Sequence, residues 1–300
     1  MSGTVRHLLD VDDLTPAELV EVLDLCERPD HPLPLAGRGA ALIFEKQSTR
    51  TRHSTEMAVV QLGGHPITVR ADEIGIDTRE TAEDVARTLA CYHAVICARV
   101  YEHAKLERMA AVAGIPVVNL LSDDSHPLQA VTDLLTIRQE FGRLDGLTIA
   151  WVGDWSNVAR SLAIGAAMSG MHIRVAGPHG YGPSEVETER LVVLGAASVE
   201  VGDRPAELVK GADVVTTDAW YAMGQEAEAA VRRQAFEGFT VDAALLAAAG
   251  DRSVLLHCLP AHRGEEVAGD ALDGPHSRIW VQAANRMHAA RGVLAWLLDQ

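Results

Sequence analysis

The chain has 300 residues, of which 48% are hydrophobic and 23% charged, and its formal net charge is −16. That length exceeds what one hydrophobic core usually holds, so two domains are expected. The acidic balance lacks the basic stripe that a nucleic-acid binder needs, and no apolar run reaches the length of a membrane span.

Met1 to Asp10 carries no basic-then-apolar leader, so a cytoplasmic location is expected. The four cysteines, Cys26, Cys91, Cys97 and Cys258, show no CxxC spacing and form neither a zinc-ribbon pattern nor a disulfide framework. Taken in chain order, Ala40 to Phe44 reads as a buried strand, followed by a polar loop. Ser54 to Leu62 reads as a helix stopped by Gly63-Gly64. Pro66 to Val69 is a short strand. Thr81 to Tyr92 is a helix opened by Thr81 with Asp84 three residues on, a capping-box pattern. Ala94 to Ala98 and Ile115 to Leu120 are strands, with a helix around Leu106 between them.

Pro127 to Phe141 is a long helix that crosses between two units. After Gly142 and the Asp145-Gly146 turn the alternation restarts with a strand at Leu147 to Val152 and a helix at Val158 to Met168. Ile173 to Ala176, Val214 to Thr217 and Val254 to Leu259 are strands, separated by helices near Glu189, Leu208 and Ala244. A helix from about Asn285 to Leu298 closes the chain. Strict alternation of strand and helix predicts an α/β protein with parallel sheets covered on both faces. In such sheets ligands sit beyond the carboxyl ends of the strands. Four chemically loaded segments fall there: Glu45 to Arg52, Ser122 to Gln129, Asp218 to Gly224, and His257 to Arg263.

Ser48, Thr49, Arg50, Thr51 and Arg52 follow a buried strand and open a helix. A helix start offers free backbone N–H groups and the positive end of a dipole, the hydroxyls add donors, and an arginine fork matches phosphate geometry. No GxxxxGK occurs, so a nucleoside triphosphate is not implied. In His126-Pro127-Leu128-Gln129, Pro127 suits a first helical turn, and His126 and Gln129 can both donate to a carbonyl oxygen. Arg99 ends a strand, Arg286 begins the last helix, Asp218 ends a strand before Trp220, and His257-Cys258-Leu259-Pro260 ends another. Read singly, each has a plain structural explanation: a capped helix with solvated arginines, a capping histidine, a helix-capping aspartate, a small core thiol.

Together these residues give the chain its likeness. Phe44 to Arg52, His126 to Gln129, Asp218-Ala219-Trp220-Tyr221-Ala222-Met223-Gly224 and His257 to Pro260 resemble the blocks of ornithine carbamoyltransferases over nearly the whole length, as do Arg6 to Leu9 and Asp13 to Thr15. The first two blocks mark carbamoyltransferases in general, and the last is much more specific, because aspartate carbamoyltransferases do not usually carry a cysteine where Cys258 stands. The resemblance implies two parallel-sheet α/β domains: a carbamoyl-phosphate domain at 1–140, completed by a C-terminal helix at 285–300 that crosses back, and a Rossmann-like amino-acid domain at 141–284.

It also implies that Ser48, Thr49, Arg50, Thr51, Arg99 and Arg286 hold phosphate, and that Arg99, His126 and Gln129 polarise the carbamoyl oxygen. Asn157, Asp218 and Met223 hold the amino-acid head of ornithine, and Cys258 and Leu259 lie beside the reacting amine and the carbamoyl group. No metal or organic cofactor is implied, and the usual assembly is a homotrimer with active sites at subunit boundaries. The chain departs from the common pattern at Ala222, where serine is frequent, at Leu128 (threonine), at Gly75 (a glutamine reaching a neighbouring subunit) and at Ala284 (an acidic residue). Ala222 touches the ornithine side, which keeps putrescine, lysine or a modified ornithine open as acceptors. A non-catalytic paralogue is the alternative from a different class, and the intact cleft arginines oppose it.

Overall fold

The structure, a computed structural model, describes residues 5–221 and 226–299. The chain forms two compact units, Met1–Leu135 with Ala284–Gln300, and Thr136–Ala283. The division falls once inside the helix Pro127–Phe141 and once inside the helix Ile279–Leu298. Among the described residues no helix is long and apolar enough to cross a membrane.

The first unit is built on four parallel strands, β1 (Gly39–Phe44), β2 (His65–Arg70), β3 (His93–Arg99) and β4 (Val117–Leu121), in the order β2-β1-β3-β4. The runs GAALIF and HAVICAR are almost wholly buried, as expected of central strands covered on both faces. The helices Ala82–Ala90 and His103–Ala110 put Ala82, Val85, Ala86, Leu106 and Met109 into one core cluster with Ile43, Ile96 and Ala98. From Ala284 onward the last helix belongs to this unit. It passes so close to the helix Pro16–Glu27 that a Cβ at Gly292 would lie 2.3 Å from Cys26 Sγ and 2.9 Å from Cys26 N, so no larger residue fits there.

The second unit has five parallel strands, β5 (Thr148–Val152), β6 (His172–Ala176), β7 (Ser198–Gly202), β8 (Val214–Thr217) and β9 (Val254–His257), ordered β7-β6-β5-β8-β9. Counted from β5, this is the doubly wound order 3-2-1-4-5, so the sheet reverses direction of growth between β5 and β8. In the first unit the same reversal lies between β1 and β3. Phe236 is fully buried in the second core, stacked on Trp220 at 5.5 Å and edge-on to Tyr181 at 4.9 Å.

Several expected boundaries move. The second helix starts at Thr49 rather than Ser54, because Ser48 caps it and its Oγ accepts from Thr51 N. The expected capping box at Thr81 is half formed: Thr81 accepts from Asp84 N at 3.2 Å, while the shorter Asp84 carboxylate pairs with Arg87 instead. Strand β9 stops at His257, since Leu259 takes a φ of +59°, outside the strand region. The last helix starts at Ile279, so Arg286 stands within it and not at its start. The helix Pro16–Glu27 and the edge strand β7 are additions that the sequence pattern left unassigned.

Candidate functional site

In the first unit the loop after β1 is held down before it turns into the helix Thr49–Gln61. Glu45 N donates to Arg99 O at 2.9 Å, Glu45 pairs with the largely buried Lys105 at 3.0 Å, and Tyr101 N donates to the same carboxylate at 3.1 Å. These ties join the carboxyl ends of β1 and β3, the two strands at the reversal point. Ser48 and Thr51 then face each other at 3.1 Å. Thr51 Oγ1 also receives Arg99 Nη1 at 3.3 Å and Arg286 Nη2 at 3.1 Å. One hydroxyl thus gathers two arginines that are each only 6% exposed. Arg50 is half-buried and forms no ion pair among the described residues, and Thr49 is exposed.

His126 is set by the turn before its helix. Ser125 N donates to Ser122 Oγ, Asn119 Nδ2 donates to Ser125 O, and Ser125 Oγ donates to Asp10. Gln129, one turn on, donates to Asp133 at 2.6 Å. Burial, with the positive charges of Arg286 and Arg99 next, pushes the His126 imidazolium well below the ordinary histidine range. At neutral pH this ring is therefore uncharged, able to donate one hydrogen bond to a carbonyl oxygen without carrying charge of its own. Ser48, Thr51, Arg99, His126, Gln129 and Arg286 are brought to one end of the sheet by β1, β3, the segment after β4 and the last helix.

The second unit presents a different chemistry. Asp218 follows β8 and Cys258 follows β9, and the Cys258 thiol donates to Asp218 Oδ1 at 3.1 Å. Burial raises the Asp218 carboxyl above its usual range. His257, the Cys258 hydrogen bond and the Ala219 N–H oppose that shift, and Glu266 adds to it. His257 Nδ1 accepts from Leu259 N at 2.9 Å, which makes Nε2 the protonated nitrogen that faces Glu266 Oε1 at 3.1 Å. Both side chains are fully buried. Leu259, expected beside the reacting groups, is thereby fixed by its own N–H. Trp220, stacked on Phe236, anchors the segment carrying Asp218, and its carbonyl accepts from Arg232.

Asn157 opens the helix Asn157–Met168 behind β5 and is half-buried. Met223 and Ala222 lie outside the described residues. Gly75 has φ +58°, and a Cβ there would come within 2.9 Å of Arg79 Cβ, so a longer side chain requires the turn to shift.

Sequence reasoning missed Glu266, which holds His257, and Asp154, which lies two residues past β5, pairs with Arg232 at 2.9 Å and is raised by burial first and by Asp218 among lesser causes. The Gly153-Asp154 pair just past a strand was the available signal. Two clusters in this unit bring possible metal donors within 4.8 Å of one another: Asp218 with His257 and Cys258, and His262 with Glu265 and Glu266. In the first, the thiol already donates to Asp218, and both ring nitrogens of His257 are engaged by Glu266 and Leu259 N.

Comparison with known proteins matches residues 6–139 to the profile described as the carbamoyl-P binding domain of aspartate/ornithine carbamoyltransferase, and residues 145–297 to its Asp/Orn binding domain. An ornithine carbamoyltransferase of Acidothermus cellulolyticus is 48% identical over 98% of this chain and 97% of its own length. The solved ornithine carbamoyltransferase of Pyrococcus furiosus superposes with a TM-score of 0.94 at 41% identity, covering 100% of this chain and 99% of that one. That of Thermus thermophilus gives 0.90 at 42% identity over 98% and 99%. With both domain profiles matched and near-complete coverage at this identity, the chain belongs to the aspartate/ornithine carbamoyltransferase family.

Proposed function

We propose that the protein transfers the carbamoyl group of carbamoyl phosphate to the side-chain amine of L-ornithine, giving L-citrulline and phosphate. The observation that carries this reading is the meeting of Arg99 and Arg286 on the Thr51 hydroxyl, at a helix start, beside an uncharged His126. The first unit then binds carbamoyl phosphate. Ser48, Thr49, Arg50 and Thr51 take the phosphate oxygens together with Arg99 and Arg286, through charge-assisted bonds that suit a doubly charged group. Arg99, His126 and Gln129 face the carbamoyl oxygen and stabilise the oxyanion that forms when the carbonyl carbon is attacked. The second unit binds ornithine, with Asn157, Asp218 and Met223 on its amino-acid head and Cys258 and Leu259 beside the reacting amine.

The neutral amine forms the new C–N bond, the C–O bond to phosphate breaks, and the departing phosphate takes the amine proton. The acceptor's chemistry fits the second unit: a carboxylate and a thiol, not arginines, await a substrate bearing ammonium groups. A homotrimeric assembly in the cytoplasm belongs to the same reading and rests on the family resemblance. The deciding experiment mixes the protein with carbamoyl phosphate and a panel of ornithine, putrescine, lysine and aspartate, and measures phosphate release and the carbamoylated product. Ornithine is expected to be turned over far faster than any other amine, and preference for another would overturn the acceptor. Light scattering of the eluted protein tests the trimer.

A further inference from the structure

The segment that follows Pro260 carries a second group of titratable residues, His262, Glu265 and Glu266. A donor atom from each lies within 4.8 Å of the others. One oxygen of each carboxylate is already engaged. Glu265 Oε1 accepts from Arg233 Nε at 3.1 Å and Nη2 at 2.9 Å. Glu266 Oε1 accepts from His257 Nε2 at 3.1 Å and from His262 N at 2.6 Å. The remaining atoms, Glu265 Oε2, Glu266 Oε2 and His262 Nδ1, are buried and have no hydrogen-bond partner among the described residues.

The Glu266 side chain is fully enclosed, at 0% exposure, and its Oε2 stands 3.6 Å from His262 Nδ1, too far for a hydrogen bond. Tyr221 stacks on the His262 ring at 5.2 Å and 13° and so fixes its plane. Buried polar atoms are almost always satisfied, so two half-engaged carboxylates beside an imidazole whose Nδ1 stands 3.6 Å from Glu266 Oε2 point to an occupant that can pair with carboxylate oxygens.

We propose that His262, Glu265 and Glu266 bind one divalent first-row metal ion, with Mn²⁺ the best-matched probe. One imidazole and two carboxylates form a hard, oxygen-rich donor set that suits such ions, and no thiol takes part. Two carboxylates offset by the single Arg233 leave net negative charge for the cation. The rest of the environment is in place: His257 and Arg233 hold the far oxygens of the two carboxylates, as outer partners of a metal site do. An ion at this point also steadies Glu266, which holds His257 directly before Cys258.

The test is a titration of the intact protein with Mn²⁺ alone, followed by loss of the free-ion electron paramagnetic resonance signal. The proteins compared are the wild type, His262→Ala, Glu265→Gln and Cys258→Ser. We expect one tight equivalent per chain in the wild type and in Cys258→Ser, and affinity at least about ten-fold weaker in the other two. His262 is partly exposed, so its replacement should leave the fold intact, and circular dichroism checks this; if it does not fold, Glu265→Gln decides. Uptake without a stoichiometric end point, uptake unchanged in the variants, or no uptake because the three groups share a proton instead, each overturns the proposal.

Discussion

The two units solve opposite electrostatic problems with the same scaffold. Each is a parallel sheet with its chemistry at the carboxyl ends of the strands around the reversal point. In the first, two buried arginines meet a capped helix start, and burial, with their charge second, keeps His126 uncharged. In the second, a buried carboxylate meets a thiol and a His257–Glu266 pair. The lesson is that site polarity in these sheets is set by what hangs on the strand ends and not by strand order. A cationic site suits the phosphate-bearing mixed-anhydride donor, and an acidic one suits an amine.

Four outcomes can break or sharpen that contrast. The largest effect is expected from Arg99→Ala, which removes a buried charge proposed to touch both phosphate and carbamoyl oxygen. kcat/KM for carbamoyl phosphate should fall by on the order of 10²–10³. Steady-state kinetics on a folded variant showing no change would remove the first unit from phosphate recognition. Asp218→Asn comes next and should act on the other substrate. Loss of a charge-assisted contact of roughly 1.5–3 kcal/mol raises KM for ornithine by about ten- to a hundred-fold, while KM for carbamoyl phosphate stays put. If both constants moved together, the division of labour between the units would fail.

The third outcome concerns pH. His126 has its folded pKa depressed below the unfolded value of about 6.5, so on acidification through that value the unfolded chain takes up the proton first. Its contribution is therefore complete above pH 6.5 and is lost as pH falls below it. Thermal melts between pH 7.5 and 5.5 should show a steeper loss for the wild type than for His126→Gln, and parallel curves would contradict the buried neutral ring. The smallest effect is expected at Ala222. Ala222→Ser restores one hydroxyl beside the proposed amino-acid head, which is on the order of 1 kcal/mol. KM for ornithine should drop several-fold. Should activity move instead from another amine to ornithine, the acidic site was shaped for that other amine.

Strands were legible wherever burial on both faces produced an apolar run, as at β1 and β3. Strand β7 was not, because SVEVG lies at the sheet edge, pairs with β6 alone and keeps its glutamate exposed. The start of the second helix was hidden for a related reason. TRTRHSTE has no apolar period, yet Thr51 and Thr55 are buried there, so tertiary packing rather than hydrophobic pattern defines its inner face. Glu266 was overlooked because nothing in a Glu-Glu pair marks which carboxylate turns inward, and here the inward one is wholly enclosed.

The sequence by itself determined the alternation of strand and helix and the blocks that carry the family likeness, because these depend on residues close together in the chain. Only the tertiary structure decided that Arg99 and Arg286 share the hydroxyl of Thr51, across 48 and 235 positions. It likewise decided that Cys258 reaches Asp218 and that His262, Glu265 and Glu266 cluster after Pro260. Such meetings depend on strand order and on which helix packs against which edge. Those are set by the burial of many distant residues at once, and no local pattern records them.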